Sequence, residues 1–483
     1  MRVNLRFVGH LTGVVILVMA AGILVSAGVS ALYGDDDIPA LLISAAIAIV
    51  VGSPLYFTTR LGSRTSIGYR EGFLSVGLGW IVAMVFGAIP YLVYGVFGPV
   101  DALFESMSGF TTTGASVLTD YNQPHGIMFW RSLTHWFGGM GIIVLFIAVL
   151  RPLGAGAMRL FSAESPGPVS ERLTPRIRDT ARNLWLIYTG LTALNIVLLC
   201  AFGMSVYDAF CHAFGTLATG GFSTQATSIA AYHSLGIELV TVFFMFVAGG
   251  NFALYYAVVR GKVSRLYRNP EFVAYTGIMA TSVVAIAISL ILAKSHFSFG
   301  HAFRESLFSV TSIQTTTGFA TADFGVWNSF AKTLLVLLMI IGASAGSTAG
   351  GLKVARVVVL AKSIRHELTR QMHPQAVLPL KSGGRIVPES VRLNVLGYFV
   401  IYMVIFMLGT LAVSASNVDL VTAGTSVAAT LNNIGPGLEA VGPSMNYSLM
   451  DGWAKVVLII MMVVGRLEIF AVLVPLTRSF WRR

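Results

Sequence analysis

Thr111-Thr112-Thr113-Gly114-Ala115, Ala218-Thr219-Gly220-Gly221-Phe222, Thr315-Thr316-Thr317-Gly318-Phe319 and Asn432-Asn433-Ile434-Gly435-Pro436 align on Gly114, Gly221, Gly318 and Gly435, spaced by 107, 97 and 117 residues. Three strings are rich in Thr before the glycine, and the fourth substitutes amides. A lone Thr-Gly pair is common where membrane helices pack closely. Four in register, each inside a short segment between two long apolar runs, form an internal repeat.

The apolar runs define the frame. Stretches long enough to cross about 30 Å of hydrocarbon, roughly 20 residues each, fall near 8 to 31, 38 to 58, 72 to 98, 126 to 150, 183 to 205, 235 to 259, 272 to 293, 330 to 352, 393 to 414 and 453 to 476. Segments 101 to 116, 208 to 223, 304 to 320 and 421 to 437 are too short to cross and too apolar for exposed loops, so they read as re-entrant. The expected fold is an all-α integral membrane protein. It comprises an N-terminal helix pair (1–71) and four helix–pore loop–helix units (72–151, 183–260, 272–360 and 393–483) around a central pore.

Composition agrees. Of 483 residues, 55% are hydrophobic and 11% charged, against about a quarter charged in soluble domains, and the mean hydropathy is +0.77. A net charge of +11 would suggest nucleic acid in a soluble chain. Here, with alternating spans, 26 of the 32 Lys and Arg share one side with both termini, which the positive-inside rule makes cytoplasmic. The first span follows Arg2 and Arg6 but is too long for a signal core, so it reads as retained. Cys200 and Cys211 give no metal spacing or disulfide framework. No stretch between spans exceeds 40 residues, so any nucleotide-binding control must come from a separate chain.

The repeated residue types suit one chemistry. A cation shedding its water needs oriented oxygens, which backbone carbonyls on an extended segment supply. Glycine allows the positive φ that exposes them, and Thr adds hydroxyls. A short helix before each segment would aim its carbonyl pole at the membrane centre. Thirteen residues before the glycines come Asp101, Asp208, Glu305 and Thr422; an acid there would start that helix.

These strings, with Trp136-Phe137-Gly138-Gly139-Met140-Gly141, Thr174-Pro175-Arg176-Ile177, Gly346-Ser347-Thr348, Leu431-Asn432-Asn433-Ile434-Gly435-Pro436-Gly437 and Gly465-Arg466-Leu467-Glu468-Ile469-Phe470, make the chain resemble the Trk/Ktr/HKT superfamily of cation transporters. The resemblance is closest to its bacterial TrkH/TrkG branch, and it covers essentially the whole chain. It implies K⁺ uptake across the bacterial cytoplasmic (inner) membrane, with K⁺ as the transported ion, no organic cofactor and no enzymatic activity. It implies a homodimer in the lipid bilayer, a cytosolic nucleotide-binding TrkA-like partner and no nucleic acid. The implied filter comprises Thr112, Thr113, Gly114, Thr219, Gly220, Gly221, Thr316, Thr317, Gly318, Asn433, Ile434 and Gly435. Relatives with serine at the first of these glycines transport Na⁺; glycine at all four positions points to K⁺.

Two gating elements are expected. Between Gly342 and Gly351 nothing is larger than Thr, so a break is cheap. Gly342, Gly346, Ser347, Thr348, Gly350 and Gly351, with Lys353, match the family's intramembrane loop; close helix contact is the alternative. Arg466 lies near the middle of the last run, where a charge costs at least about 2.5 kcal/mol. It reads as an electrostatic barrier in the pore, or as paired with a carbonyl or carboxylate nearby. Glu468, two positions on, is expected on another helix face. Asp208 and His212 share a face without further ligands, which favours a structural His. The cytoplasmic basic loops set topology or dock the partner. The competing transport mechanism is an H⁺- or Na⁺-coupled K⁺ symporter. A membrane enzyme would need a nucleophile with its base or a metal cluster, and neither pattern is present; a purely structural or receptor role leaves the repeat unexplained.

Overall fold

The structure, a computed structural model, describes residues 4–59, 69–150, 177–293, 298–374, 379–383 and 385–481. Most of the basic loops at 59 to 71 and 151 to 182, and Thr174, Pro175 and Arg176 of the family string, lie outside the described residues.

The described residues are almost all helical. Six helices are long and apolar enough to cross a membrane alone: Leu5–Tyr33, Ile38–Thr58, Arg70–Tyr94, Arg182–Ala201, Pro270–Leu292 and Glu389–Ser414. Their outward faces carry bare apolar side chains, such as Leu292 at 77% and Leu411 at 70% exposure, a surface suited to lipid and not to water. Leu5–Tyr33 and Ile38–Thr58 interlock through glycines: a Cβ on Gly13 would lie 2.7 Å from the Tyr56 nitrogen. This pair packs on the helices Tyr69–Tyr94 and His125–Leu150.

Three of the expected runs are not continuous helices. Leu235–Ala248 bends by 100° into Phe252–Val259, and Gly452–Arg466 bends by 114° into Ile469–Leu476. Ser329–Ile341 stops at Gly342. Each break has a local cause. Gly249 and Gly250 end one helix, and Asn251 starts the next by accepting from the Ala253 N–H at 2.8 Å. Gly342 takes φ +67°. Glu468 takes φ +61°, so Arg466 closes its helix instead of lying within one. Glu468 is correspondingly not on a helix face; its carboxylate accepts from Arg356.

The four re-entrant segments are short helices, Pro99–Phe110, Val206–Leu217, Phe299–Gln314 and Leu420–Leu431. Their starts are encoded. Pro99 takes the first position, where its missing N–H costs nothing. The Ser205 hydroxyl donates to the Asp208 carboxylate at 2.8 Å and accepts from its N–H at 3.1 Å. Asp419 accepts from the Thr422 N–H at 2.9 Å, and hydrogen bonding to Thr422 holds its carboxyl below the usual carboxylate range. Asp101 and Asp208 occupy first turns as expected, whereas Glu305 falls in the second turn because its helix begins earlier, at Phe299.

The stretch 353 to 392, read from sequence as a loop, holds the helix Val354–Met372 and a small antiparallel ribbon pairing Lys381 with Ile386 and Ser382 with Arg385.

Candidate functional site

Every short helix ends alike. The N–H of Thr113, Gly220, Thr317 and Ile434 reaches five residues back, to Ser108, Gly215, Ser312 and Ala429, at 2.7 to 2.9 Å. That closure forces the intervening residue into the left-handed region: Thr112, Thr219, Thr316 and Asn433 have φ between +52° and +58°. Such a cap normally takes Gly or Asn, and a β-branched residue there is strained. Two residues on, Gly114, Gly221, Gly318 and Gly435 have φ between +77° and +99°.

The four glycines face one another in order. A Cβ built on Gly114 would lie 2.0 Å from the Gly220 carbonyl oxygen, on Gly221 2.0 Å from that of Thr317, and on Gly318 2.0 Å from that of Ile434. On Gly435 it would lie 2.8 Å from the carbonyl oxygen of Thr113, which closes the circle. Four segments up to 321 residues apart therefore form one ring, each glycine packed against the carbonyl that precedes the next glycine. No other residue type fits without moving backbone.

The expected Thr hydroxyls are used differently. Thr113 and Thr317 hydroxyls bond those of Thr111 and Thr315 at 2.7 and 2.8 Å, and Asn433 Nδ2 donates to Thr113 at 3.0 Å. They brace the segments from behind. Thr112 Oγ1 and Asn433 Oδ1 are buried with no hydrogen-bond partner among the described residues. The Tyr447 hydroxyl donates to the Gly435 carbonyl at 2.7 Å. His212 is satisfied on both nitrogens, against the Asp208 carbonyl at 2.8 Å and the Ser223 hydroxyl at 2.9 Å, as a structural histidine should be.

The small-residue run lies against the helix-end side of this ring. The Gly350 N–H donates to Thr316 Oγ1 at 2.8 Å, and Thr348 Oγ1 lies 3.0 Å from the Leu217 carbonyl oxygen and 3.3 Å from that of Ala248. A Cβ on Gly350 would meet the Asn432 carbonyl oxygen at 2.2 Å. Ser344 N–H donates to Gly249 at 3.0 Å, Phe252 N–H to the Gly346 carbonyl at 3.2 Å, and Ala345 N–H to the Glu271 carboxylate at 2.5 Å. Irregular backbone at this depth is thus buried in protein and bonded, the condition under which it is tolerated. Lys353, at φ +71°, donates to the Ala349 carbonyl.

Arg466 joins the same assembly. It is 4% exposed and donates to the carbonyls of Thr348 at 2.6 Å and Gly138 at 3.1 Å. Of the two expectations for it, carbonyl pairing is what the geometry contains, and one carbonyl belongs to the loop itself. Gly138 is packed as tightly, since a Cβ there would lie 1.9 Å from the Phe110 carbonyl oxygen at a short helix's end. Gly138→Ala is expected to destabilise the fold by about 2 kcal/mol or more, read as a lowered thermal midpoint in detergent.

Sequence reasoning missed Glu105, Arg131 and His135, all buried beside the ring. A signal existed: Arg131 is a charge inside an apolar run, a default functional candidate.

The family model TrkH, described as a cation transport protein, matches residues 37–481. The Trk system potassium uptake protein TrkH of Escherichia coli (strain K12) is 39% identical, covering 99% of this chain and 100% of that one. The protein of that name from Halomonas elongata is 38% identical over 100% of both chains. The crystal structure of the potassium transporter TrkH from Vibrio parahaemolyticus superimposes with a TM-score of 0.90 at 37% identity over 100% of both chains.

Proposed function

We infer function from a firm premise: the chain belongs to the TrkH family of cation transport proteins. It takes up K⁺ through a channel-like pore whose selectivity filter is the ring of Gly114, Gly221, Gly318 and Gly435 with the residues before them. The observation that carries this reading is the closed circle of glycine–carbonyl contacts. Carbonyls held at fixed spacing replace the hydration shell of a cation, while the short helices direct their carbonyl ends at its path. The potassium uptake named for the 38–39% identical relatives supports K⁺ as the ion.

Each of the units 72–151, 183–260, 272–360 and 393–483 supplies one quarter of the filter, and the helices Leu5–Tyr33 and Ile38–Thr58 of the N-terminal pair pack outside it. The loop 342 to 353 is the gate. It stands across the inner end of the filter, fastened by Arg466, and leaves when the anchoring bonds are exchanged. The closed arrangement suits a chain awaiting a cytosolic nucleotide-binding partner, and the relatives' membership of a named system supports such a partner. The working unit is a homodimer in the bacterial inner membrane, and the one-sided Lys and Arg distribution supports placing both termini in the cytoplasm.

The test is Rb⁺ uptake by bacterial cells lacking their own K⁺ uptake and expressing this chain. Uptake that K⁺ suppresses and equal Na⁺ does not is the expected result; equal suppression by both would overturn the K⁺ reading.

A further inference from the structure

The seam between the first and second filter segments is built unlike the others. The helix His125–Leu150 presents Arg131 and His135, one turn apart on one face, between these segments. His135 works at the level of the ring: its Nδ1 lies 2.8 Å from the Gly109 carbonyl oxygen, and its Nε2 accepts from the Phe222 N–H at 3.1 Å. Arg131 works two residues beyond the glycines, with its side chain 3% exposed and that of Glu105 fully buried. Its Nε donates to Glu105 at 2.6 Å, its Nη2 to the Ser116 hydroxyl at 3.1 Å and its Nη1 to the Ser223 carbonyl at 2.9 Å. The guanidinium also stacks 3.6 Å over the Phe222 ring. Glu105 in turn accepts from the Ser116 hydroxyl and the Val117 N–H, both at 2.9 Å. Ser116 and Ser223 are the second residues after Gly114 and Gly221, so one side chain grips both segments at matched positions.

Counted from the starts of the corresponding helices at Leu235, Ser329 and Gly452, the counterparts of Arg131 are Thr241, Leu335 and Leu458. Thr241 is buried with its hydroxyl donating to the Ile237 carbonyl at 2.8 Å, and Leu335 and Leu458 are buried among apolar neighbours. A buried guanidinium at this position therefore occurs at one seam of four. Burying an ion pair is a poor route to stability, because desolvation offsets the attraction, and well-packed apolar residues commonly do as well. What a five-donor planar fork does supply is fixed geometry.

We propose that Arg131, braced by Glu105, is a positioning residue that sets the spacing of the first two filter segments and through it the preference for K⁺ over the smaller Na⁺. This rests on the reading of the ring as a K⁺ filter. The cavity-size account of filter selectivity requires that the carbonyls hold their separation, and the carbonyl-field account requires that their number and aim at the ion be kept. Arg131 makes no contact with the ion; it acts through Ser116, Ser223 and Phe222.

The test compares the full-length wild-type chain with Arg131→Met, Arg131→Lys and Glu105→Gln in liposomes, reading the ratio of Rb⁺ to Na⁺ flux per reconstituted protein beside the thermal midpoint. Arg131→Met is expected to lower the ratio about tenfold, the factor given by a 1.4 kcal/mol shift in relative site energy. Arg131→Lys, which keeps the charge and loses the fork, is expected to lower it less, and Glu105→Gln likewise. A wild-type ratio in Arg131→Met would overturn the proposal even if the midpoint falls, since stability alone would then be affected. If Arg131→Met does not fold, a wild-type ratio in Arg131→Lys overturns it in the same way. A wild-type chain with no preference would overturn the filter reading itself, and this proposal with it.

Discussion

Gly114→Ser is expected to cost the chain its preference for K⁺ by at least about tenfold, equivalent to 1.4 kcal/mol between competing ions. The added Cβ starts 2.0 Å from the Gly220 carbonyl oxygen, and φ is +77°, where an L side chain is strained regardless of space. Backbone must move, and the carbonyl that moves belongs to the ring. The neighbouring contact at Gly435 is looser, at 2.8 Å, so Gly435→Ser is expected to disturb selectivity less than Gly221→Ser or Gly318→Ser. Ratios of Rb⁺ to Na⁺ flux across the four serine variants check both statements. An unaltered ratio in Gly114→Ser would remove that glycine from the filter.

Arg466→Ala is expected to act in the opposite direction and raise flux. The wild-type guanidinium holds the loop carbonyl of Thr348 and the Gly138 carbonyl, and a hydrogen bond to a charged group contributes about 1.5 to 3 kcal/mol. Losing the Thr348 anchor alone would raise the population of the displaced loop about tenfold or more if the anchor acts mainly in the closed state. Rb⁺ uptake without any partner protein is expected to rise by that factor, and Arg466→Lys, which keeps the charge but on a single donor nitrogen, is expected to fall between. Unchanged flux in Arg466→Ala, with the protein folded, would exclude Arg466 from the gate.

How much of this could be read beforehand follows from what each signal measures. Hydropathy reports transfer free energy, so it located the apolar runs and the four re-entrant segments well. It carries no direction, and for that reason the runs at 235 to 259 and 453 to 476 read as straight although each turns by 100° or more. The breakers were present in the letters: Asn251 suits a helix start, and Glu468 is a charge in an apolar run. The run from Gly342 to Gly351 was legible as a break because four glycines in ten weaken a helix additively.

The glycine repeat revealed which residues form the ring but not its closing contacts. The left-handed Thr112, Thr219 and Thr316 were hidden, since Thr is disfavoured there and only the recurrent helix closure imposes it. Arg131 and Glu105 stand 26 positions apart in different elements, and no spacing rule pairs them. The same logic that singled out Arg466 applies to Arg131, which makes intramembrane charge a more general guide than motif matching.

The central claim, a channel-like K⁺ filter at the four glycines, is tested most directly by cation flux into liposomes containing only this chain. Rb⁺ uptake is measured against imposed K⁺, Na⁺, Li⁺ and pH gradients, with Gly114→Ser alongside. The account predicts uptake that follows the K⁺ gradient, ignores the pH and Na⁺ gradients and loses its selectivity in the variant. Uphill uptake driven by a proton or Na⁺ gradient would contradict it and make the chain an ion-coupled symporter, with the loop at 342 to 353 part of an alternating-access cycle.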